Sequence, residues 1–353
     1  MKTRRIRLRF VLPLTRAVIL TTLSLFAVCG AAALFSRGAS AADDLELATL
    51  PLRHVVDLPL PGRPTRWDYA SGDPQTDLLF IAHLGDSEIV VVNTRSARVI
   101  TTIPHISSVH GVFVVPELGR VYASATGTNE IVVIDEETFD VVARIPGGVY
   151  PDGMAYVPCA HKLYVSDETG NTETVIDVST NKRIATIALG GEAGNSQYDP
   201  VSRHVFVNVQ TRRQLVEIDP ATDTIASRID LPGAKGNHGL LIVPESRLAF
   251  IACEGNSRLI VLDMRTMKVV EFFDLGRDPD VLAFDPTSKI VYVAGEAGVV
   301  SMFRIEGTRV SKLGDGRVGS NAHVLYVDAK SRRSYFPLKN MAGHPVLRIM
   351  APQ

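Results

Sequence analysis

Polar and ionisable residues recur along the chain, each placed eleven or twelve residues before a repeated aromatic residue. They are His110, Asp152, Asn195, His238, Asp280 and His323. In the first repeat the same spacing leads to Asp68, next to Trp67, and His83 ends a later segment of that repeat. Equivalent positions of a repeat occupy equivalent places in a fold, so we expect these side chains to gather at one opening as a ligand-binding site.

Three of these residues could hold a metal ion. His238, Asp280 and His323 belong to consecutive repeats, and imidazole and carboxylate ligands suit Zn, Cu, Fe or Ni. An open coordination position would allow hydrolysis through a polarised water. The sequence has no local metal motif such as HxxxH. The same side chains could instead line a water-filled channel, or bind a small polar ligand or a partner loop beside Trp67. A divalent metal is the one cofactor that the pattern suggests.

The elements that carry these residues are short strands. Segments such as 128–148, 170–191 and 211–233 share an apolar run that ends in Asp, then Thr or Ser, then a second apolar run. The Asp and Thr side chains can close a tight turn by bonding to the backbone, which predicts strand, turn and strand. A second pair of strands precedes each copy, with a turn that often contains Pro. One unit is therefore four antiparallel strands.

Seven such units follow one another. The repeated aromatic residues, 42 to 44 positions apart, are Phe80, Tyr122, Tyr164, Phe206, Phe250, Tyr292 and Tyr335. Repeated four-stranded sheets of this size predict an all-β, seven-bladed β-propeller. The last unit has only three strands, and residues 52–58 supply an unmatched one whose Asp57-Leu58-Pro59 matches Asp230-Leu231-Pro232. We therefore expect an N-terminal strand to complete blade seven and close the ring.

The first 41 residues differ from the rest in charge. The 353 residues hold 37 Lys and Arg against 38 Asp and Glu, but seven of the basic residues precede Ala42. Residues 17–35 are uncharged, and Ala39-Ser40-Ala41 offers a cleavage site, so residues 1–41 are predicted to be a secretory signal peptide. The uncharged run is also long enough for an uncleaved anchor. Either alternative places the remainder outside the cytoplasm, in the periplasm or secreted, with residues 42–51 as a lead-in to a propeller of residues 52–353.

The body of the protein is acidic. Beyond residue 41 it has 30 basic against 38 acidic residues, which argues against nucleic acid or anionic lipid as a partner. Only three cysteines are present, too few for a disulfide scaffold, and we expect Cys159 and Cys253 to be free thiols. No GxSxG elbow, Walker loop or CxxCH haem site occurs. The composition does not decide whether the protein is an enzyme.

The repeats resemble the YVTN-type, YncE-like β-propeller proteins of bacterial envelopes. The resemblance covers residues 52–353 and rests on Arg66-Trp67-Asp68-Tyr69, Val109-His110-Gly111, Pro151-Asp152-Gly153 and the recurring LYVS…VID…T frame. It implies a periplasmic or secreted seven-bladed propeller. We expect a monomeric binding or scaffold module whose partner at the channel mouth is a small polar ligand or another envelope protein. The alternatives are a metal-dependent hydrolase of the lactonase sort and an accessory protein of a periplasmic redox system.

Overall fold

The computed structural model describes residues 50–353, all of which belong to one compact unit. The predicted signal peptide, and all of the lead-in but Leu50 and Pro51, lie outside the described residues. No helix among residues 50–353 is long and apolar enough to cross a bilayer. The described residues form seven four-stranded antiparallel sheets, so the predicted seven-bladed β-propeller is confirmed.

Each blade runs from an inner strand to an outer strand in chain order, except the seventh, where the first strand of the chain joins the last three. That first strand is β1 (Leu52–Pro59). Blades one and two contain β2 (Ala70–Asp73), β3 (Leu78–His83), β4 (Glu88–Asn93), β5 (Arg98–Ile103), β6 (Val109–Val115), β7 (Arg120–Ala125), β8 (Glu130–Asp135) and β9 (Val141–Pro146). Blades three and four contain β10 (Pro151–Val157), β11 (Lys162–Asp167), β12 (Thr172–Asp177), β13 (Lys182–Ala188), β14 (Ala193–Asp199), β15 (His204–Val209), β16 (Gln214–Asp219) and β17 (Thr224–Asp230).

The remaining three blades follow the same scheme. Blades five and six contain β18 (Asn237–Val243), β19 (Leu248–Cys253), β20 (Arg258–Asp263), β21 (Lys268–Asp274), β22 (Pro279–Asp285), β23 (Ile290–Gly295), β24 (Val299–Glu306) and β25 (Arg309–Arg317). Blade seven contains β26 (Tyr326–Asp328), β27 (Arg333–Met341), β28 (His344–Pro352) and β1. One-turn 3-10 helices connect some strands, at Leu84–Asp86, Pro116–Leu118, Thr126–Thr128, Pro158–Ala160, Gln210–Arg212 and Glu254–Asn256.

The acidic residue that ends most third strands closes the turn as predicted. Asp135 Oδ1 accepts hydrogen bonds from the backbone N–H groups of Glu137 and Thr138, both at 3.0 Å. The same side-chain contact to a backbone N–H two or three residues later recurs at Asn93, Asp177, Asp219 and Asp263. These contacts fix the turn between the third and fourth strands, and with it the register of the outer edge.

The ring is closed by β1, which pairs with β28 in antiparallel register, Asp57 opposite Arg348. The guanidinium of Arg348 donates to both carboxylate oxygens of Asp57, at 2.9 and 2.7 Å. This contact lowers the pKa of Asp57, chiefly through the hydrogen bond from Arg348. The inner strand of blade seven is short, since β26 begins only at Tyr326. His323 therefore lies in the connection before the strand.

The core lies between the blades. Seven clusters of buried apolar residues occupy the described residues, each formed by two neighbouring blades. In the cluster that joins blades seven and one, Trp67, Leu79 and Tyr335 are all almost fully buried. Because every blade buries both faces against its neighbours, the sheets hold the ends of the inner strands in fixed positions around the channel.

The different exposure of the two described cysteines predicts how many thiols react in the folded protein. Both are free; Cys159 is exposed in the turn of blade three, whereas Cys253 is completely buried, which raises the pKa of its thiol to about 11. We expect a disulfide reagent at pH 8 to modify one thiol in the folded protein of residues 42–353 and two after unfolding, because the thiolate is the reactive form. Two rapidly reacting thiols in the folded protein, or none, would contradict this arrangement.

Candidate functional site

The inner strands approach one another closely because glycine stands where a side chain would obstruct them. A Cβ atom added to Gly239 of β18 would lie 2.1 Å from the carbonyl oxygen of Asp280 in the next blade. A Cβ atom added to Gly111 of β6 would lie 2.2 Å from the carbonyl oxygen of Asp152. Such separations are far below van der Waals contact, so any side chain there would displace the neighbouring backbone. These glycines bring Asp152 and Asp280 to the channel axis.

A cavity of about 560 Å³ opens where the inner strands begin. Its ionisable lining is mainly acidic: six carboxylates face one arginine and two histidines. The carboxylates are Asp68, Asp152, Glu168, Glu254, Asp280 and Glu296. Three of them, Glu168, Glu254 and Glu296, directly follow the second strand of their blades. Low-dielectric walls concentrate the field of such a group, so the cavity favours a positively charged occupant.

His238 stands at the centre of this cavity. Its Nε2 lies 3.5 Å from Asp280 Oδ1, 3.8 Å from Asp152 Oδ2 and 3.3 Å from the hydroxyl oxygen of Tyr69. Burial by itself would lower the pKa of His238, but the neighbouring carboxylates of Asp280, Glu254 and Asp152 raise it to about 9. The surrounding carboxylates thus favour the protonated form of the imidazole.

The pKa values of the two central aspartates are raised as well, which for a carboxyl group favours the neutral form. Burial is the main cause that raises the pKa of Asp152 to about 6 and the pKa of Asp280 well above its usual range, although the charge of His238 opposes both shifts. Oδ1 of each carboxylate is buried and has no hydrogen-bond partner among the described residues. Buried carboxylate oxygens are usually paired, so these two are unusual.

Tyr69 divides the channel. Its hydroxyl donates to Asn195 Oδ1 at 2.5 Å, and its ring lines both the acidic cavity and a second cavity of about 290 Å³ farther along the axis. The second cavity is lined by neutral residues such as Phe113, Phe284 and Tyr326. Asn195 lines this second cavity and not the acidic one. The acidic mouth therefore has a floor formed by Tyr69, whose hydroxyl is held by the amide of Asn195 on the side of the second cavity.

Among residues 50–353, Arg66 supplies the one guanidinium of the cavity wall. Its Nη1 donates to Glu296 Oε1 at 2.5 Å and its Nε donates to Asp68 Oδ2 at 3.0 Å. Its side chain is 39 % exposed, so the pair with Glu296 is partly screened by solvent. Arg66 neutralises one side of the mouth and leaves the side of Glu168 and Glu254 acidic.

The three residues predicted to bind metal do not form one group. Among the described residues, Asp280 belongs to two clusters of potential ligands, one with His238 and Glu254 and the other with Glu296 and His323. His323 Nε2 lies 3.9 Å from Asp280 Oδ2 and has no hydrogen-bond partner within residues 50–353, while its Nδ1–H donates to the carbonyl of Asn321 at 3.2 Å. His323 is fully buried in the connection before β26 and does not line the cavity.

Five of the nine residues predicted for the mouth line the acidic cavity, namely Asp68, His110, Asp152, His238 and Asp280. His110 is held by a hydrogen bond from its Nδ1–H to the carbonyl of Ser108 at 2.9 Å, and its Nε2 accepts from the hydroxyl of Tyr150 at 3.0 Å. The structure places each of these residues at the start of an inner strand or just before it.

Trp67 and His83 lie elsewhere. Both are completely buried, and their rings stack with centroids 3.8 Å apart and planes 9° apart. Successive side chains of an extended chain point to opposite sides, so Trp67 points into the core when Asp68 points into the cavity. His83 Nε2 hydrogen-bonds the hydroxyl of Thr65 at 2.9 Å. Neither ring reaches the mouth, which corrects the predicted positions of these two side chains.

Several lining residues were absent from the predicted set, namely Arg66, Tyr69, Tyr150, Glu168, Glu254 and Glu296. For the three glutamates the signal was present in the sequence, because each follows the second strand of a repeat at an equivalent position. Arg66 and Tyr69 lie close to Asp68 in the first blade, whose inner strand is short. The repeat spacing does not indicate that their side chains point towards the cavity.

Comparisons with solved structures bear out the architecture. A chain in the structure entitled Kuenenia stuttgartiensis Hydrazine Synthase shares a TM-score of 0.71 and 14% identity, over 82% of this chain and 96% of that one. A chain of the Mitotic Checkpoint Complex shares a TM-score of 0.69 and 12% identity, over 96% of this chain and 99% of that one. At these identities the likeness shows the fold alone. No family model and no curated protein matches the chain, so the resemblance to YncE-like proteins stays a prediction.

Proposed function

We propose that this protein is an exported binding module whose channel mouth takes a small polar ligand that carries positive charge. A propeller is compatible with binding or scaffold roles in general, and its activity depends on the site that it carries. The observation that supports the proposal is the acidic lining of the mouth, where six carboxylates face one arginine and two histidines. Export is proposed from the basic start, the uncharged run of residues 17–35 and Ala39-Ser40-Ala41.

The shape of the mouth supports a small ligand in preference to a macromolecule. The cavity of about 560 Å³ is within the usual range of small-molecule sites, and Tyr69 with Asn195 limits its depth. Polar groups converge from five of the seven blades, including Arg66, His110 and Tyr150. A ligand with an ammonium or amidinium group could contact Glu168 and Glu254 while a polar remainder contacts His110 or Tyr150.

Calorimetric titration with a matched pair of probes tests this proposal. We expect the EDTA-treated protein of residues 42–353 to bind putrescine and not 1,4-butanediol, which has the same carbon chain without charge. The double variant E168Q/E254Q should bind putrescine at least tenfold more weakly, a change of about 1.4 kcal/mol or more.

The matched control carries the same change of charge at the other end of the channel. Glu117 and Glu245 lie in the turns between first and second strands, away from the mouth, so E117Q/E245Q should bind putrescine like the unaltered protein. Equal weakening in the two double variants, or no difference between putrescine and 1,4-butanediol, would contradict a cation site at the mouth.

A further inference from the structure

The spacing around His238 is unusual for a hydrogen-bonded histidine. Asp280 Oδ1 and Asp152 Oδ2 lie 3.5 and 3.8 Å from Nε2, beyond the range of about 2.7–3.2 Å for an N–H···O hydrogen bond. Tyr69 is nearer, at 3.3 Å, but its hydroxyl hydrogen is already donated to Asn195. Nε2 therefore has one long hydrogen bond, to the hydroxyl oxygen of Tyr69, and faces two carboxylate oxygens that lie beyond hydrogen-bonding distance.

The distance between His238 Nε2 and Asp280 Oδ1 is close to the distance between two ligand atoms bound to one metal ion. Zinc binds imidazole nitrogen and carboxylate oxygen at about 2.0–2.2 Å, which places two ligands of a tetrahedral ion about 3.3–3.5 Å apart. The distance from His238 Nε2 to Asp280 Oδ1 is 3.5 Å. Glu254 completes a group in which one atom of each residue lies within 4.8 Å of the others.

The state of Asp280 is a second, independent observation. Its side chain is 7 % exposed, and Oδ1, the oxygen nearer His238, has no hydrogen-bond partner among the described residues. A buried carboxylate oxygen without a donor calls for a cation or a proton. His238, Glu254 and Asp280 all line the cavity, so an ion could reach them from solvent.

The second cluster around Asp280 differs in two respects. Glu296 is already bound by Arg66 at 2.5 Å, and His323 lies behind the cavity wall. The guanidinium supplies the positive charge on that side, whereas the described residues place no arginine or lysine in the wall beside Glu254. Of two clusters with the same ligand types, only the one with His238 is open and lacks a guanidinium.

The geometry points to a binding site for one divalent transition-metal ion formed by His238, Glu254 and Asp280. This inference rests on the proposed function, because it names the cation that the acidic mouth would hold. A histidine with two carboxylates suits Zn²⁺ better than Mg²⁺ or Ca²⁺, which prefer oxygen ligands alone.

Titration with ZnCl2 tests the inference, with the two equivalent glutamates as a matched pair. We expect the EDTA-treated protein of residues 42–353 to bind one equivalent of Zn²⁺, and MgCl2 in excess not to compete. E254Q and H238A should each weaken binding at least tenfold, whereas E296Q should change it less than threefold. Loading with Co²⁺ should give visible absorption that is lost in H238A, which a merely structural role of the imidazole would not explain.

Each outcome decides between the two proposals. Zinc binding below 0.2 equivalents, or equal losses in E254Q and E296Q, would overturn the metal site. If putrescine still binds in that case, the proposed function stands alone; if neither probe binds, both proposals fall. Zinc binding with the expected variants and no putrescine binding would leave the metal site and refute the organic cation. Since Glu254 and Glu296 both lie on the surface of the mouth, unchanged melting of both variants should accompany these measurements.

Discussion

Removal of residues 42–60 is expected to lower the melting temperature by about 10 °C or more, or to abolish the cooperative transition. The deletion removes β1, and with it the buried side chains of Leu50, Leu52 and Leu60. Burial of each leucine contributes about 1.5–3 kcal/mol. The deletion also removes the carboxylate partner of Arg348 and exposes β28 as an open edge. The total is comparable to the whole stability of a typical protein, about 5–15 kcal/mol.

A shorter deletion separates the strand from the lead-in. Removal of residues 42–49 leaves every described residue in place, so its melting temperature should equal that of the protein of residues 42–353. The variant D57N should fall between the two, because it removes the ionic part of the contact with Arg348 and keeps the strand. Melting at the same temperature after removal of residues 42–60 would contradict closure of the ring by β1. Differential scanning calorimetry measures all three.

The fold could be predicted because the repeat is regular, so the strands of one blade indicate where the strands of the next blade lie in the sequence. A period of 42 to 44 residues locates strands, turns and the closing strand, and Asp57 opposite Arg348 is the register that this closure requires. The mouth was predictable to the extent that the repeat is regular. Where the structure keeps the period, as at Asp152, His238 and Asp280, the residues lie on the cavity.

The other site residues could not be predicted, because their positions depend on side-chain direction and on contacts between distant blades. The repeat spacing indicates neither. A one-residue difference decides whether Trp67 or Asp68 faces the cavity, since neighbouring side chains point to opposite sides. His323 occupies the equivalent position of blade seven but is fully buried and does not line the cavity, which its place in the repeat does not indicate. The contact of Arg66 with Glu296 joins blades one and six, 230 residues apart, so no local pattern could indicate it.

Comparison of equivalent positions also reveals a residue that the predicted site does not include. The second residue of the third strand is buried in blades one to six, and five of the six are apolar: Ile89, Ile131, Leu215, Leu259 and Val300. In blade three the position holds Glu173, which is completely buried. Neither of its carboxylate oxygens has a hydrogen-bond partner among the described residues, and no lysine or arginine is among the groups that shift its pKa.

The variant E173Q is expected to be more stable than the unaltered protein at neutral and alkaline pH. Burial, and secondarily the charge of Asp167, raises the pKa of Glu173 well above its usual value, and the hydroxyls of Ser196 and Ser166 oppose this only in part. The folded state therefore holds a proton that the unfolded state releases above a pH of about 4.3. The stability associated with this proton is complete below that pH and is lost as the pH rises towards the folded-state pKa, at about 1.4 kcal/mol per pH unit.

Glutamine keeps the shape of the side chain and has no proton to lose, so E173Q should remove this part of the pH dependence. Urea unfolding at pH 5, 6, 7 and 8 should show a difference in the free energy of unfolding between E173Q and the unaltered protein, and this difference should increase with pH. E173L, which restores the apolar residue of the other blades, should give the same trend. E137Q changes an exposed glutamate in the turn of blade two and should leave the pH dependence unaltered. A difference in the free energy of unfolding that stayed constant from pH 5 to 8 would mean that the carboxyl of Glu173 has the same pKa in the folded and unfolded protein. That result would contradict the burial of Glu173 without a partner.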